Sequence, residues 1–164
     1  MQIFLRCAAI ALCGCYFSAA QAETFLATVV GIADGDTLTV LNNERQEIKI
    51  RLAEIDAPEK HEAFGTRSKQ SLSDLCFGKQ AEIVSKAKER YGRTLARVKC
   101  AEVDANTEQV KHGMAWVYVR YVEDQNPYVM QREAKAAKRG LWADASPTPP
   151  WEFCKHTRTY IRES

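Results

Sequence analysis

Two short acidic motifs, Asp34-Gly35-Asp36-Thr37 and Ile55-Asp56-Ala57-Pro58-Glu59, flank a segment carrying Arg51, and a second arginine follows in Tyr91-Gly92-Arg93. Carboxylate oxygens are the ligands preferred by a hard cation such as Ca²⁺ or Mg²⁺. Guanidinium forks match phosphate geometry and stay charged at any working pH. Together they are the equipment for attacking a phosphodiester. Either half alone says little, because Asp-Gly is an ordinary turn and a lone strand arginine is ordinarily a solvated one.

To hold one ion the two carboxylates must converge, and the elements between them permit it. Thr24 to Ile32 is rich in β-branched and apolar residues and predicts a strand; Asp34-Gly35 is a tight turn; Asp36 to Leu41 predicts a second strand. After a turn at Asn42-Asn43, Glu47 to Leu52 alternates strictly, with Ile48, Ile50 and Leu52 on one face and Glu47, Lys49 and Arg51 on the other. In a meander of these strands the start of the second and the end of the third share one end of the sheet. Asp36 and Asp56 then meet there. Ca²⁺ takes roughly 6–8 oxygens, so two side chains leave places for water, a backbone carbonyl and a substrate phosphate. Glu59, following Pro58, is placed to orient or deprotonate an attacking water. Two arginines on one phosphate stabilise the charge that builds up on pentacoordinate phosphorus.

Further on, residues 65–76 predict a helix with Leu72 and Leu75 on one face, closed by Gly78. Gln80 to Ser85 and Thr94 to Cys100 predict two strands joined by the charged loop 86–93. Asp104 caps a short helix ending at Gly113. A last helix has Asn126 as N-cap, Pro127 at its first position and Gly140 past its end. Residues 143–150, with Pro147, Pro149 and Pro150, predict an extended tail. This order implies an α+β fold: a five-stranded barrel of the oligonucleotide-binding (OB) type with three α-helices.

The chain of 164 residues has room for one domain plus extras. Residues 1–22 are set apart as a secretory signal peptide: Arg6 precedes a run of apolar and small residues from Cys7 to Ala20, and Ala20-Gln21-Ala22 fits the cleavage pattern. The run is too short for a membrane span. Leu12-Cys13-Gly14-Cys15 resembles a lipoprotein box, so anchoring through Cys15 is the rival reading. The domain then covers residues 23–142 and the Pro-containing tail 143–164. Arg6 is the only charge in the leader, so the formal charge falls from +2 to +1 on its removal. Near-neutrality excludes a protein that coats nucleic acid by bulk charge. The charge is nonetheless uneven: Asp34, Asp36, Glu44, Glu47, Asp56, Glu59 and Glu62 crowd one segment, while residues 79–99 hold seven bases against two acids.

Export permits disulfides, and Cys76, Cys100 and Cys154 remain after the leader. If the strands starting at Gln80 and Thr94 pair antiparallel, Cys76 and Cys100 come to the same end of the hairpin. That predicts a Cys76–Cys100 bridge and a free Cys154. His61, His112 and His156 stand apart from one another and predict surface residues.

Asp34-Gly35-Asp36-Thr37, Arg51-Leu52, Ile55-Asp56-Ala57-Pro58-Glu59, Arg90-Tyr91-Gly92-Arg93 and Gly113-Met114-Ala115 occur in the order and approximate spacing of the staphylococcal (micrococcal) nuclease family, which the chain resembles over about residues 25–142. The resemblance implies Asp36 and Asp56 as Ca²⁺ ligands, the Ala57 backbone carbonyl as a further ligand, and Asp34 as an acid beside the ion. It implies Glu59 as general base, Arg51 and Arg93 as phosphate-binding catalytic arginines, and substrate contacts from Arg90, Tyr91 and Tyr121. Ala57 and Glu89 replace residues found in the best-known member, and the family's stacking aromatic pair is not cleanly reproduced in Tyr118-Val119-Arg120-Tyr121. The implied activity is a Ca²⁺-dependent endonuclease acting on DNA and RNA, breaking the 5′ P–O bond and leaving 3′-phosphates. A monomer, periplasmic or secreted, is expected. The alternative from another class is a non-catalytic nucleic-acid- or protein-binding module on the same barrel; it could discard the acids and arginines without harm to its fold.

Overall fold

The computed structural model describes residues 23–89, 92–118 and 125–153. The leader, Arg90, Tyr91, Tyr121, Cys154 and His156 lie outside them.

β1 (Thr24–Ile32) is long enough to serve two neighbours. Thr24 to Thr28 pair antiparallel with β5 (Gln80–Lys88), and Thr28 to Ile32 pair with β2 (Thr37–Leu41). A register shift between Val29 and Gly31 marks a bulge, which bends the strand between its partners. β2 continues into β3 (Glu47–Leu52), with Thr37 opposite Arg51. β5 forms a hairpin with β6 (Thr94–Cys100), and β6 then closes the sheet by pairing parallel with β3, Arg51 opposite Leu95. The result is a closed five-stranded mixed barrel.

The alternating pattern explains what fills it. Ile50 and Leu52 point inward with Val29, Leu38, Val40, Ile83 and Val98, all essentially inaccessible, and Ile48 packs at their edge. Each such burial is worth about 1.5–3 kcal/mol. α1 (Gly65–Cys76) closes one end with Leu72, and α2 (Ala105–Lys111) adds Val110. Asp104 caps α2 by accepting from Thr107 N at 2.8 Å. Short strands β4 (Ile55–Asp56), β7 (Val103–Asp104) and β8 (Trp116–Val117) fix the connections, and β4 pairs with β8. The fold is thus the α+β OB-type barrel with three α-helices that the pattern implies.

Three boundaries differ from expectation. β5 runs to Lys88, because hairpin pairing with β6 persists past a bulge after Ser85. α3 (Asn126–Ala136) has Gln125 at its N-cap position, since Tyr128 N and Val129 N both donate to Gln125 O and Asn126 is already inside the helix. Gly140 does not terminate α3. It opens a 3₁₀ turn, Gly140–Ala143, where Leu141 N donates to Gly113 O at 2.8 Å, and a Cβ on either glycine would collide with the other loop's backbone. The tail is irregular only to residue 149; residues 150–153 form a helical turn whose Trp151 packs on Trp116 and Tyr118.

Cys76, the last residue of α1, is disulfide-bonded to Cys100, the last residue of β6, with Cα atoms 5.3 Å apart. Both are buried.

Candidate active site

Two loops carry the acids, and two buried amides of α2 hold them. In the first loop Asp34 Oδ1 accepts from Asp36 N at 3.0 Å, closing a side-chain-capped turn. Gly35 is required there by space, since a Cβ would overlap Ser68 and Ala57. Gln109 Nε2 donates to Gly35 O at 2.7 Å and to Ser68 O at 3.1 Å, while its Oε1 accepts from Ser71 Oγ at 2.6 Å. In the second loop Asn106 Nδ2 donates to Ala53 O at 2.8 Å, and Val98 N donates to Asn106 Oδ1 at 3.0 Å. Asn106 and Gln109 stand three apart and so share a face of the helix. Leu52 N donates to Asp36 O at 2.7 Å, which joins the loops directly.

The side chains converge on Arg51. Its Nη2 lies 2.5 Å from Asp56 Oδ1 and 3.4 Å from Asp36 Oδ2, and its Nη1 donates to Ile55 O at 3.2 Å. Asp36 is 5% exposed; it accepts from Thr37 Oγ1 and from Ala57 N, each at 2.9 Å. Burial pushes its carboxyl up to about 7, against the pull of Arg51 and with a further push from Asp34. Burial also raises Asp56, Arg51 opposes it, and the charge of Glu59 adds to the rise. Burial works against the charge of Arg51, yet Asp36 and Asp56 outweigh it and lift the guanidinium above its ordinary pKa.

This donor set fits a hard cation. It is all oxygen, and Asp36 is a buried carboxylate whose charged form needs positive charge beside it. The Asp36 hydrogen bond from Ala57 N brings the Ala57 peptide to the same place. Among the described residues no group of three or more His, Cys, Asp or Glu is gathered at metal-binding spacing.

A cleft opens beside this cluster, lined among others by Arg51, Asp56, Glu89, Arg93, Tyr118 and Trp151. Arg93 Nε donates to Glu89 Oε2 at 2.8 Å on the rim, with the Arg93 side chain 34% exposed. Both sequence-predicted arginines therefore face one cavity. The family model described as staphylococcal nuclease homologue matches residues 49–144, more than half of the chain, including Arg51, Asp56, Glu59 and Arg93. The chain belongs to the staphylococcal nuclease family. The enzyme class is accordingly a nuclease, a hydrolase with a nucleic-acid substrate.

This nuclease-family chain is 49% identical to an "Uncharacterized endonuclease" of Haemophilus influenzae over 136 residues, covering 83% of the chain and 76% of that protein. It is 41% identical to a "Micrococcal nuclease" of Shigella flexneri, covering 79% and 80% of the two chains. It is 42% identical to an "Uncharacterized endonuclease" of Escherichia coli O157:H7, covering 75% and 80%.

Of the predicted site residues, the structure brings Asp36, Arg51 and Asp56 into contact, sets Ala57 N on Asp36, and places Arg93 on the lining of the cleft that Arg51 and Asp56 also line. Asp34 sits in the turn against Asp36, and Glu59 is exposed on the loop after β4. His61 and His112 are exposed, as expected. Arg90, Tyr91 and Tyr121 lie outside the described residues.

Sequence reasoning missed Glu54. It is 4% exposed, adopts φ 68°, and ion-pairs with Lys86 at 2.7 Å and Arg97 at 3.2 Å, while Arg97 also meets Asp104 at 2.9 Å. Much of the basic strip is therefore neutralised within the fold. The only available signal was an acid at a position needing a left-handed backbone, which no periodicity reveals. Asn106 and Gln109 were missed for a related reason, since polar residues on a short helix look like surface.

Proposed function

We propose that this chain is an exported, Ca²⁺-dependent endonuclease that hydrolyses phosphodiesters of DNA and RNA as a monomer, breaking the 5′ P–O bond to leave 3′-phosphates. The observation that carries the reading is one cleft lined by Arg51, Asp56 and Arg93, with Asp36 buried against Arg51. Asp36, Asp56 and the Ala57 carbonyl, with Asp34 beside them, would hold Ca²⁺, which would supply positive charge to polarise the scissile phosphate. Arg51 is already fixed by Asp56 and by the Ile55 carbonyl, so its fork is oriented before substrate arrives. Arg93 turns from Glu89 to the second phosphate oxygen, and the two guanidinia stabilise the extra negative charge of the transition state. Glu59 accepts a proton from the attacking water as its oxygen bonds to phosphorus. The P–O5′ bond breaks, its electron pair going to the departing oxygen, which takes a proton from solvent.

A binding module has no use for one buried and one half-buried carboxylate clustered on one arginine, an arrangement that costs stability where no ion or substrate repays it. The Cys76–Cys100 disulfide supports export, because such bonds persist in oxidising compartments; residues 1–22 would direct it, with a lipid anchor at Cys15 as the rival route. Among the described residues no helix is long and apolar enough to cross a membrane.

Purified protein incubated with plasmid DNA and with RNA, in Ca²⁺ or in chelator, tests the reading. Degradation in Ca²⁺ alone, with 3′-phosphate ends, is the expected result. Cleavage unaffected by chelator overturns the metal requirement, and no cleavage overturns the activity.

A further inference from the structure

Trp151 lies beyond α3, yet its ring packs on two aromatic residues of the β8 segment. Its centroid is 5.8 Å from Trp116, with planes at 74°, and 5.6 Å from Tyr118, with planes at 57°. Trp116 meets Trp142 edge-on at 4.3 Å, and Lys135 Nζ lies 5.3 Å and 4.4 Å from these two ring centres. Trp116 and Tyr118 are two residues apart and so share one side of the extended chain. That chain is fastened to the loop bearing the acids: Trp116 is the register partner of Asp56, and Tyr118 N donates to Glu54 O at 2.8 Å.

The rings of Trp151 and Tyr118 thus line the same cleft as Arg51 and Arg93. Trp142 is almost wholly buried and serves the core, whereas Trp151 keeps part of its surface open. Cations for phosphate beside a partly exposed aromatic ring suit a single nucleic-acid strand, because every base has a π-face to stack. A rigid ring braced by two others stacks at little entropic cost.

We propose that Trp151, braced by Trp116 and Tyr118, is a stacking platform for the nucleobase next to the phosphate that Arg51 and Arg93 hold. The proposal rests on the nuclease reading above. It assigns base contact to a residue of the C-terminal segment, outside the matched family region 49–144.

The test uses two single-stranded DNA hexamers, each with one cleavable phosphodiester among methylphosphonates. They differ only in whether the nucleotide beside that phosphodiester carries a base or is abasic. The wild-type enzyme should favour the base-bearing strand by about tenfold in kcat/KM, mostly through KM, as one stacked base is worth on the order of tenfold or more. Trp151→Ala should bring the ratio near one, and Trp151→Phe should restore most of it. Circular dichroism and Tm of each variant accompany the kinetics. Cleavage of both strands with no discrimination by the wild type overturns the platform and leaves the nuclease reading intact. A ratio unchanged in Trp151→Ala, with or without a lower Tm, also overturns it and makes Trp151 a packing residue. Cleavage of neither strand removes the nuclease reading, and the platform with it.

Discussion

Gln109 reaches from α2 to donate its Nε2 hydrogen to Gly35 O at 2.7 Å, tying a helix that does not line the cleft to the turn holding Asp34 and Asp36. The amide is fully buried, and both its N–H donors and its oxygen have fixed partners. Gln109→Met keeps the volume and strands those partners. We expect a loss of about 2–3 kcal/mol in urea unfolding, from buried groups left unpaired. Activity should fall with it even where the protein is folded, since the turn is no longer pinned. A variant with wild-type stability and turnover would show that the turn holds itself.

The two arginines should act as forks and not as mere charges. Arg51→Lys and Arg93→Lys are each expected to lower kcat by orders of magnitude in a protein with an unchanged circular-dichroism spectrum, because an ammonium cannot make the bidentate contact. Near-normal turnover in either variant takes that arginine out of the mechanism.

Asp36 gives a pH dependence with a definite sign. Its carboxyl rises from an ordinary 3.8 to about 7 on folding, chiefly through burial. The folded state therefore favours the proton more than the unfolded state does. This contribution to stability is fully present below about 3.8 and is lost as pH climbs to about 7. In chelator, Asp36→Asn should gain on the wild type in Tm across that window and hold its lead above it. Added Ca²⁺ should stabilise the wild type alone above pH 7. A Tm difference independent of pH would contradict the burial argument.

Reduction of the Cys76–Cys100 bond releases a loop whose ends are 24 residues apart in sequence. Chain entropy predicts a loss of about 3 kcal/mol. Urea midpoints with and without reductant measure it. Non-reducing peptide maps should show the Cys76–Cys100 peptide, and a map containing Cys154 in a bridge would refute the pairing.

The barrel was legible because its strands carry a strict two-residue alternation, as in Glu47 to Leu52, and because its turns are spelled in Asp, Gly and Asn. The Asp36–Asp56 encounter followed from the meander alone. Glu54 was not legible: its significance arises from Lys86 and Arg97, which only barrel closure brings to it. Nor was Gln109, whose partners Gly35 and Ser71 lie 74 and 38 residues away. Helix ends slipped by a residue or a few: α3 has Gln125 at its N-cap position and stops at Ala136, four residues before Gly140, whose close packing on Gly113 no local pattern reveals.

The seam between β3 and β6 joins strands more than forty residues apart, with Ile50 beside Thr94. Arg51 lies in that seam and Arg93 immediately precedes its β6 side, so closure brings both to one cleft. Loop-closure entropy makes such remote parallel pairing slow compared with the local hairpins. The proposed site, with both arginines on one cleft, is therefore complete only in the closed barrel. During refolding, recovery of nuclease activity should trail the appearance of β structure by circular dichroism and coincide with the slowest protection of the Ala53 amide, which is bonded to Ala96 O across the seam.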